Sequence, residues 1–398
     1  MMLKRLAILP ALLATIIFLS GCVGEPRSET IVIPGTEDEH TAESGSKPFQ
    51  VKTIYRLPIS DTENDQLLGW TDSESILGLF QGPDSKMSRT QSLQRLSPPY
   101  VQFETLRSVD VDPWNLELSP NGKYIAGPKN SEDSTLLKLI SLSDGQETIM
   151  ATIKFRHEML LTKLTWSDNS RYISYLVTDI ASEAVTGPVS GQADVATGPV
   201  VKLAVYDTNA RQVKFYPLKG LKGTFAKVKL SDDGQNILIV WEKNERTASI
   251  GMGTITGSSI KIEYEHQSGE DQVAWLNKDQ FVFLGTEGTL YEYDRRNMAL
   301  SVLLENVLSF QLSQDRKYIA YSQQENDLIS IFAGKLQGNN ILYKASVYQG
   351  VYPSGMYWGA QNDRLLIHGR KMYSPAKQPR NPEPSVVMNN QPFIIKFQ

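Results

Sequence analysis

The chain has one cysteine, four histidines, no excess of positive charge and no long apolar run. Each shortage excludes something. With Cys22 alone, no disulfide can form within one chain, so core packing has to hold the fold. The histidines are His40, His157, His266 and His368. None is spaced as H-x-x-x-H or H-E-x-x-H, the patterns that place two imidazoles on one helix face. No metal site and no cofactor are therefore expected. There is no G-x-S-x-G elbow, so no nucleophile with a base and an orienting acid is assigned, and no catalytic residue is named. Lys and Arg number 40 against 44 Asp and Glu, a formal −4, which leaves no electrostatic footprint for nucleic acid. The longest apolar run, Leu6 to Leu19, falls short of the ~20 residues that a membrane span needs.

The N-terminus does carry an address. Lys4 and Arg5 precede the apolar run, which closes on Leu19-Ser20-Gly21-Cys22. A basic start, a short apolar stretch and small residues at its end predict a secretory signal over residues 1–21. The string "LSGC" resembles the bacterial lipobox. The resemblance implies cleavage before Cys22, lipid on its thiol and new amino group, and a place on the extracytoplasmic side of a bacterial envelope. The alternative is an ordinary signal peptide with an incidental cysteine. Cleavage would remove Lys4 and Arg5 and leave 38 basic against 44 acidic residues, a formal −6. Membrane contact would then come from the lipid, at about 0.8 kcal/mol per buried methylene. Residues 22–48 are polar, with Pro, Gly, Ser and clustered acids between Glu37 and Glu43. Such a stretch buries too little apolar surface to offset chain entropy and predicts a flexible tether spanning about 25–30 Å.

From residue 49 onward one phrase recurs. The copies are "LGWTDSESILGL" from Leu68, "LELSPNGKYIAG" from Leu116, "LTWSDNSRYISY" from Leu164, "VKLSDDGQNILI" from Val228, "VAWLNKDQFVFL" from Val273, "FQLSQDRKYIAY" from Phe310 and "MYWGAQNDRLLI" from Met356. Each opens with an apolar residue, a variable residue, then Trp or Leu. A polar turn follows, then a second apolar anchor at Ile76, Ile125, Ile173, Ile237, Phe281, Ile319 or Leu365. Period-two alternation marks strands, and Asn121-Gly122 and Asp233-Gly234 are hairpin chemistry. A third strand such as "KLAVYD" and a fourth such as "QVKFYPL" come next. Repeated four-stranded units that cannot bury both faces alone predict an all-β, seven-bladed β-propeller over 49–398. The last unit lacks a fourth strand, and the domain begins with a spare one at 49–57. That strand is expected beside the C-terminal strand at 392–398, closing blade seven. The stretch 297–312 can be read at helical spacing, but its tail coincides with a repeat, so two strands and a bend are expected there.

The phrase "LSPNGKYIA" and its relatives resemble the TolB-type, WD-repeat-like propeller motif. The resemblance covers nearly the whole globular part and implies the fold, not an activity, because one propeller scaffold hosts many functions. The chain has seven copies where TolB has six, and no α/β domain precedes them, so TolB's partners are not carried over.

Candidate sites are few. Asp110 and Asp112 precede a first strand, at a junction expected near the channel mouth. Two carboxylates are too few for Ca²⁺, which takes six to eight oxygens. "SDDGQNIL" from Ser231 resembles the sialidase Asp-box but lacks its closing aromatic, and is read as repeat grammar. Trp70, Trp166, Trp275 and Trp358 share one register and are read as core. Tyr124, Tyr172 and Tyr318 share another and are expected to pack against the next blade. The first and third turns of each blade are tight. Long second-to-third connections occur in blade one at 81–91, blade three at 178–200 and blade seven at 370–391. The last is basic through Arg370, Lys371, Lys377 and Arg380, while the blade-three loop carries three acids and no base. These loops converge on one face. The expected function is a monomeric, lipid-tethered scaffold docking a protein or envelope polymer through that face. The alternatives are an envelope hydrolase or lyase with a site at the channel mouth, and a sensory or regulatory subunit of an envelope transport or signalling system.

Overall fold

The computed structural model describes the backbone of residues 30–32, and residues 48–59, 66–80, 92–112, 115–155, 158–179, 200–244, 247–269, 272–325, 328–372 and 392–398, except for the side chains of 244 and 247. Cys22, His40, His157, Lys377, Arg380 and the loops at 81–91, 180–199 and 373–391 lie outside them.

Seven antiparallel sheets follow one another along the chain, one for each copy of the phrase. Blade one is built from Gln66–Trp70, Ile76–Phe80, Ser92–Leu96 and Phe103–Ser108, and blade four from Thr224–Leu230, Asn236–Asn244, Thr247–Thr256 and Ser259–Ser268. Blade seven takes Val351–Trp358, Arg364–Lys371 and Phe393–Phe397 from the C-terminal part and Val51–Arg56 from the start of the domain. The last two pair antiparallel, with Ile54 opposite Ile395. The chain ends thus close the ring in one sheet, as the missing strand predicts. The stretch at 297–312 resolves into Ala299–Leu304 and Val307–Leu312, the fourth strand of blade five and the first of blade six. Outside blade five, Thr30–Val32 runs parallel to Ala299–Ser301, so this piece of the segment read as a tether is extended backbone beside the ring.

The core lies between blades. Leu139 and Met150 of blade two pack with Trp166 and Tyr175 of blade three, and Leu203 of blade three packs with Phe225 and Ile239 of blade four. Tyr124, Tyr172 and Tyr318 each pack in the cluster shared with the next blade. The repeated tryptophans do more than fill volume. Each donates its indole N–H to a backbone carbonyl on the first strand of the preceding blade: Trp70 to Tyr357 at 2.9 Å, Trp166 to Glu117 at 3.3 Å, Trp275 to Lys229 at 3.4 Å and Trp358 to Gln311 at 3.2 Å. A buried ring with a satisfied N–H contributes both area and direction.

The serine of the repeat also has a fixed task. The hydroxyls of Ser119, Ser167, Ser231 and Ser313 donate to Asn121, Asn169, Asp233 and Asp315 two residues on. They accept from the backbone N–H of Tyr124, Tyr172, Asn236 and Tyr318. This tight turn is what "SPNG", "SDNS", "SDDG" and "SQDR" encode, and it accounts for the Asp-box likeness.

Candidate functional site

The variable residue of each phrase, between its two apolar neighbours, faces the ring's axis. Gly69, Glu117, Thr165, Lys229, Ala274, Gln311 and Tyr357 come from seven different blades and line one central cavity of about 390 Å³. It opens on the face of the tight turns. The position that the repeat leaves variable is thus the one that carries the channel's chemistry.

Charge is concentrated on one side. Burial pushes the Glu117 carboxyl up, against the pull of Lys163 and Lys227. Two blades away, in blade seven, burial with the nearby Glu117 charge pushes the Tyr357 hydroxyl up to about 12. At the mouth, Lys229 Nζ lies 2.6 Å from Asp168, and Arg316 Nη2 lies 3.0 Å from the same carboxylate and also binds Asp232. Burial opposes ionisation of Asp168, yet the two cations hold its carboxyl below the usual range. Arg316 starts from blade six and reaches blades three and four, so it is a clasp over the channel mouth. It has a φ of 61°, and the matching turn positions in blades two and four are Gly122 at 68° and Gly234 at 72°. A Cβ on Gly122 would lie 2.3 Å from the Thr71 carbonyl oxygen, so only glycine fits there. At Arg316 a side chain fits, at about 1–2 kcal/mol of backbone strain, which its ion pairs offset.

Asp110 and Asp112 do not meet on a ligand. Asp110 turns outward, away from the axis, to Lys129 and, at 3.8 Å, Lys138, on the second and third strands of blade two. These lysines hold its carboxyl below the usual range. The expectation that it faces the channel mouth is corrected: the lysines, invisible as partners in the sequence, draw it outward. Asp112 Oδ2 accepts from Asn115 Nδ2 at 2.7 Å, and its N–H donates to the Pro128 carbonyl at 2.7 Å, along a cleft between blades two and three. Among the described residues no group of three or more His, Cys, Asp or Glu is placed to hold a metal. His266 stacks on Tyr264 and meets the tilted rings of Phe283 and Tyr291, and His368 Nδ1 lies 3.2 Å from the Ser354 hydroxyl. Arg370 and Lys371 are exposed at the end of the second strand of blade seven.

The channel residues went unassigned in the sequence, although a signal was present. Glu117, Lys229 and Gln311 place polar groups at a position flanked by apolar ones in every copy, and a polar residue recurring there marks a surface that is neither core nor turn.

No protein-family model matches the chain, and no curated protein matches it in sequence. Solved structures do. An oligogalacturonate lyase in complex with manganese aligns at 10% identity over 88% of this chain and 96% of its own, with a TM-score of 0.55. The oligogalacturonate lyase from Vibrio parahaemolyticus aligns at 10% identity over 88% and 90%, with a TM-score of 0.51. TolB from Acinetobacter baumannii aligns at 14% identity over 69% and 67%, and its TM-score of 0.39 carries no argument. At such identities the likeness shows the fold alone, a β-propeller.

Proposed function

We propose that the chain is an extracytoplasmic binding propeller, held to a membrane by lipid on Cys22, that docks a protein or envelope component through its loop-rich face. The observation that supports this is topological. The connections at 81–91, 180–199 and 373–391 all join the second strand of a blade to the third, in blades one, three and seven, so their roots at Phe80, Asp179 and Lys371 lie on the face opposite the tight turns. Blades seven and one are neighbours, joined through Trp70 and Tyr357. The roots of the loops are fixed in the sheets: Asp179 pairs with Lys202 at 2.6 Å where the blade-three loop leaves. Long loops on a rigid scaffold are where binding residues concentrate. The basic blade-seven loop, with Arg370, Lys371, Lys377 and Arg380, and the acidic blade-three loop would give a partner an oriented field.

The test is crosslinking and pull-down from native membranes. One bait is the intact protein; the other has 180–199 and 373–391 each replaced by a short Gly-Ser link. A partner captured by the first bait and lost by the second, with circular dichroism unchanged, supports docking through this face. An identical partner set refutes it.

A second reading has its own observation. Glu117 is a carboxyl pushed by burial above its usual range on the wall of the central channel, which is what a general acid requires. It would make the chain an envelope hydrolase or lyase acting at the channel. Loss of turnover in Glu117→Gln, on a substrate found by screening glycans, would support it.

A further inference from the structure

Away from the channel, on the tight-turn face, a second cavity of about 570 Å³ lies between blades two and three. It is within the size range of small-molecule sites and far larger than one inorganic anion fills. Its walls come from the first and third turns of both blades. Three cations line it, Lys123, Arg171 and Arg211, against one acid, Asp144, on a chain whose formal charge is −4. Arg171 is engaged by Asp207 at 2.9 Å. The side chains of Lys123 and Arg211 make no hydrogen bond or ion pair among the described residues. On the wall is Tyr206, 2% exposed, whose hydroxyl has no hydrogen-bond partner among the described residues. Burial pushes that hydroxyl's pKa up, and Arg211 is close enough to oppose the shift. The remainder of the lining is almost wholly hydroxyl and amide groups, such as Thr148 and Asn209.

We infer that this cleft binds a saccharide unit carrying an anionic group, with Arg211 and Lys123 on the anion and the Tyr206 hydroxyl on a sugar oxygen. Two cations without partners attract the charge and give charge-assisted hydrogen bonds. The hydroxyl and amide walls match a polyhydroxylated ring, and they offer too little apolar surface for an acyl chain or a nucleobase. A buried hydroxyl without a partner is costly, and a bound oxygen relieves that cost. The site is separate from the loop-rich face, so it stands or falls independently of the docking proposal.

The test uses variants whose fold is protected. Arg211 has a φ of 53°, and its N–H donates to the Asp207 carbonyl at 2.8 Å. In the matching turn of blade two, Gly145 at 71° donates to the Ser141 carbonyl at 3.0 Å. Arg211→Gly therefore suits the backbone as it stands. Tyr206→Phe removes only the hydroxyl. Calorimetric titration of the full chain in detergent with glucose 6-phosphate, glucuronate, glucose and inorganic phosphate reads the affinities. Glucose 6-phosphate or glucuronate should bind more tightly than glucose or phosphate. Arg211→Gly should weaken that binding about tenfold and Tyr206→Phe about threefold to tenfold. Neither variant should lower the melting temperature, and Lys344→Ala on the exposed outer strand of blade six should leave the affinity unchanged. The inference is overturned if neither anionic sugar binds at about 10 mM. It is equally overturned if phosphate alone binds as tightly as glucose 6-phosphate, or if Arg211→Gly binds as the wild type does.

Discussion

Glu292 makes the stability of this propeller depend on pH in an unusual direction. It lies on the third strand of blade five, Leu290–Asp294, and is 3% exposed. Its Oε1 accepts from Gln280 Nε2 at 2.8 Å, the same amide donates to Asp294 at 3.0 Å, and its Oε2 has no partner among the described residues. Burial first, and the Asp294 charge second, push its carboxyl up to about 7 from an ordinary 4.5. Between those values the folded state holds a proton that the unfolded state has released. Stability therefore falls as pH rises through this window. The slope is about 1.4 kcal/mol per pH unit, so the loss is about 2.5 kcal/mol between about pH 5 and about pH 8. For a propeller of this length that is a drop in melting temperature of about 3–4 °C. Glu292→Gln keeps the shape and removes the proton. Denaturant unfolding of both proteins at the two pH values isolates the term, because every other titrating group is common to both. The stability difference between variant and wild type should move by about 2.5 kcal/mol in the variant's favour from pH 5 to pH 8. A difference that stays constant within ~1 kcal/mol would refute the reasoning, since Glu292 would then titrate alike in both states.

Other perturbations test the closure of the ring. Phe49→Ala removes a ring that meets Tyr318, Trp358 and Phe397 edge-on at 5.7, 6.2 and 5.7 Å, and should cost about 3–5 kcal/mol in urea unfolding. Arg364→Ala removes a buried guanidinium that binds Glu74 of blade one and Asp363, each at 2.9 Å; because both acids reach solvent, the expected loss is about 2–3 kcal/mol, read by the same assay. Trp275→Phe leaves the Lys229 carbonyl without its indole donor and a small void beside Phe281, for about 1–3 kcal/mol by thermal melting. Asp168→Asn leaves Lys229 beside a neutral amide and Arg316 with Asp232, so the acid-side stability that Asp168 supplies above its unfolded pKa, and loses as pH falls through its depressed folded value, should disappear from the pH profile.

The architecture was legible because its determinants are local. Ser231, Asp233 and Gly234 make a turn wherever they occur, and the alternation in "KLAVYD" makes a strand without help from distant chain. Closure by residues 49–57 followed from counting strands. The channel was not legible in the same way. Glu117 and Lys229 are 112 positions apart and face one axis only because seven sheets close. Arg316 meets Asp168 and Asp232 from 148 and 84 positions away. Asp110 misled for the same reason: its position before a first strand suggested the mouth, while Lys129 on the neighbouring hairpin decided its direction. Local patterns determine strands and turns; only the closed ring determines which variable residues become neighbours.

That division has a consequence for how this fold can acquire function. The tight-turn face is tied from blade to blade: Thr71 Oγ1 donates to the Gly122 carbonyl at 3.0 Å, Asn121 N–H to Ser170 Oγ at 2.9 Å, and Asn169 N–H to Asp232 at 2.8 Å. Arg316 then ties blade six to blades three and four. An insertion into any of these turns would break a contact between blades. Opposite them, the second-to-third connections of blades one, three and seven are longer in sequence, and doubling a flexible loop costs only about 0.6 kcal/mol in closure entropy. Sequence can therefore lengthen on one face almost without cost while the other stays short. The locked face is suited to small, fixed sites, such as the Arg211 cleft and the channel, whose groups must hold their distances. The lengthened face is suited to a large partner whose surface the loops can follow.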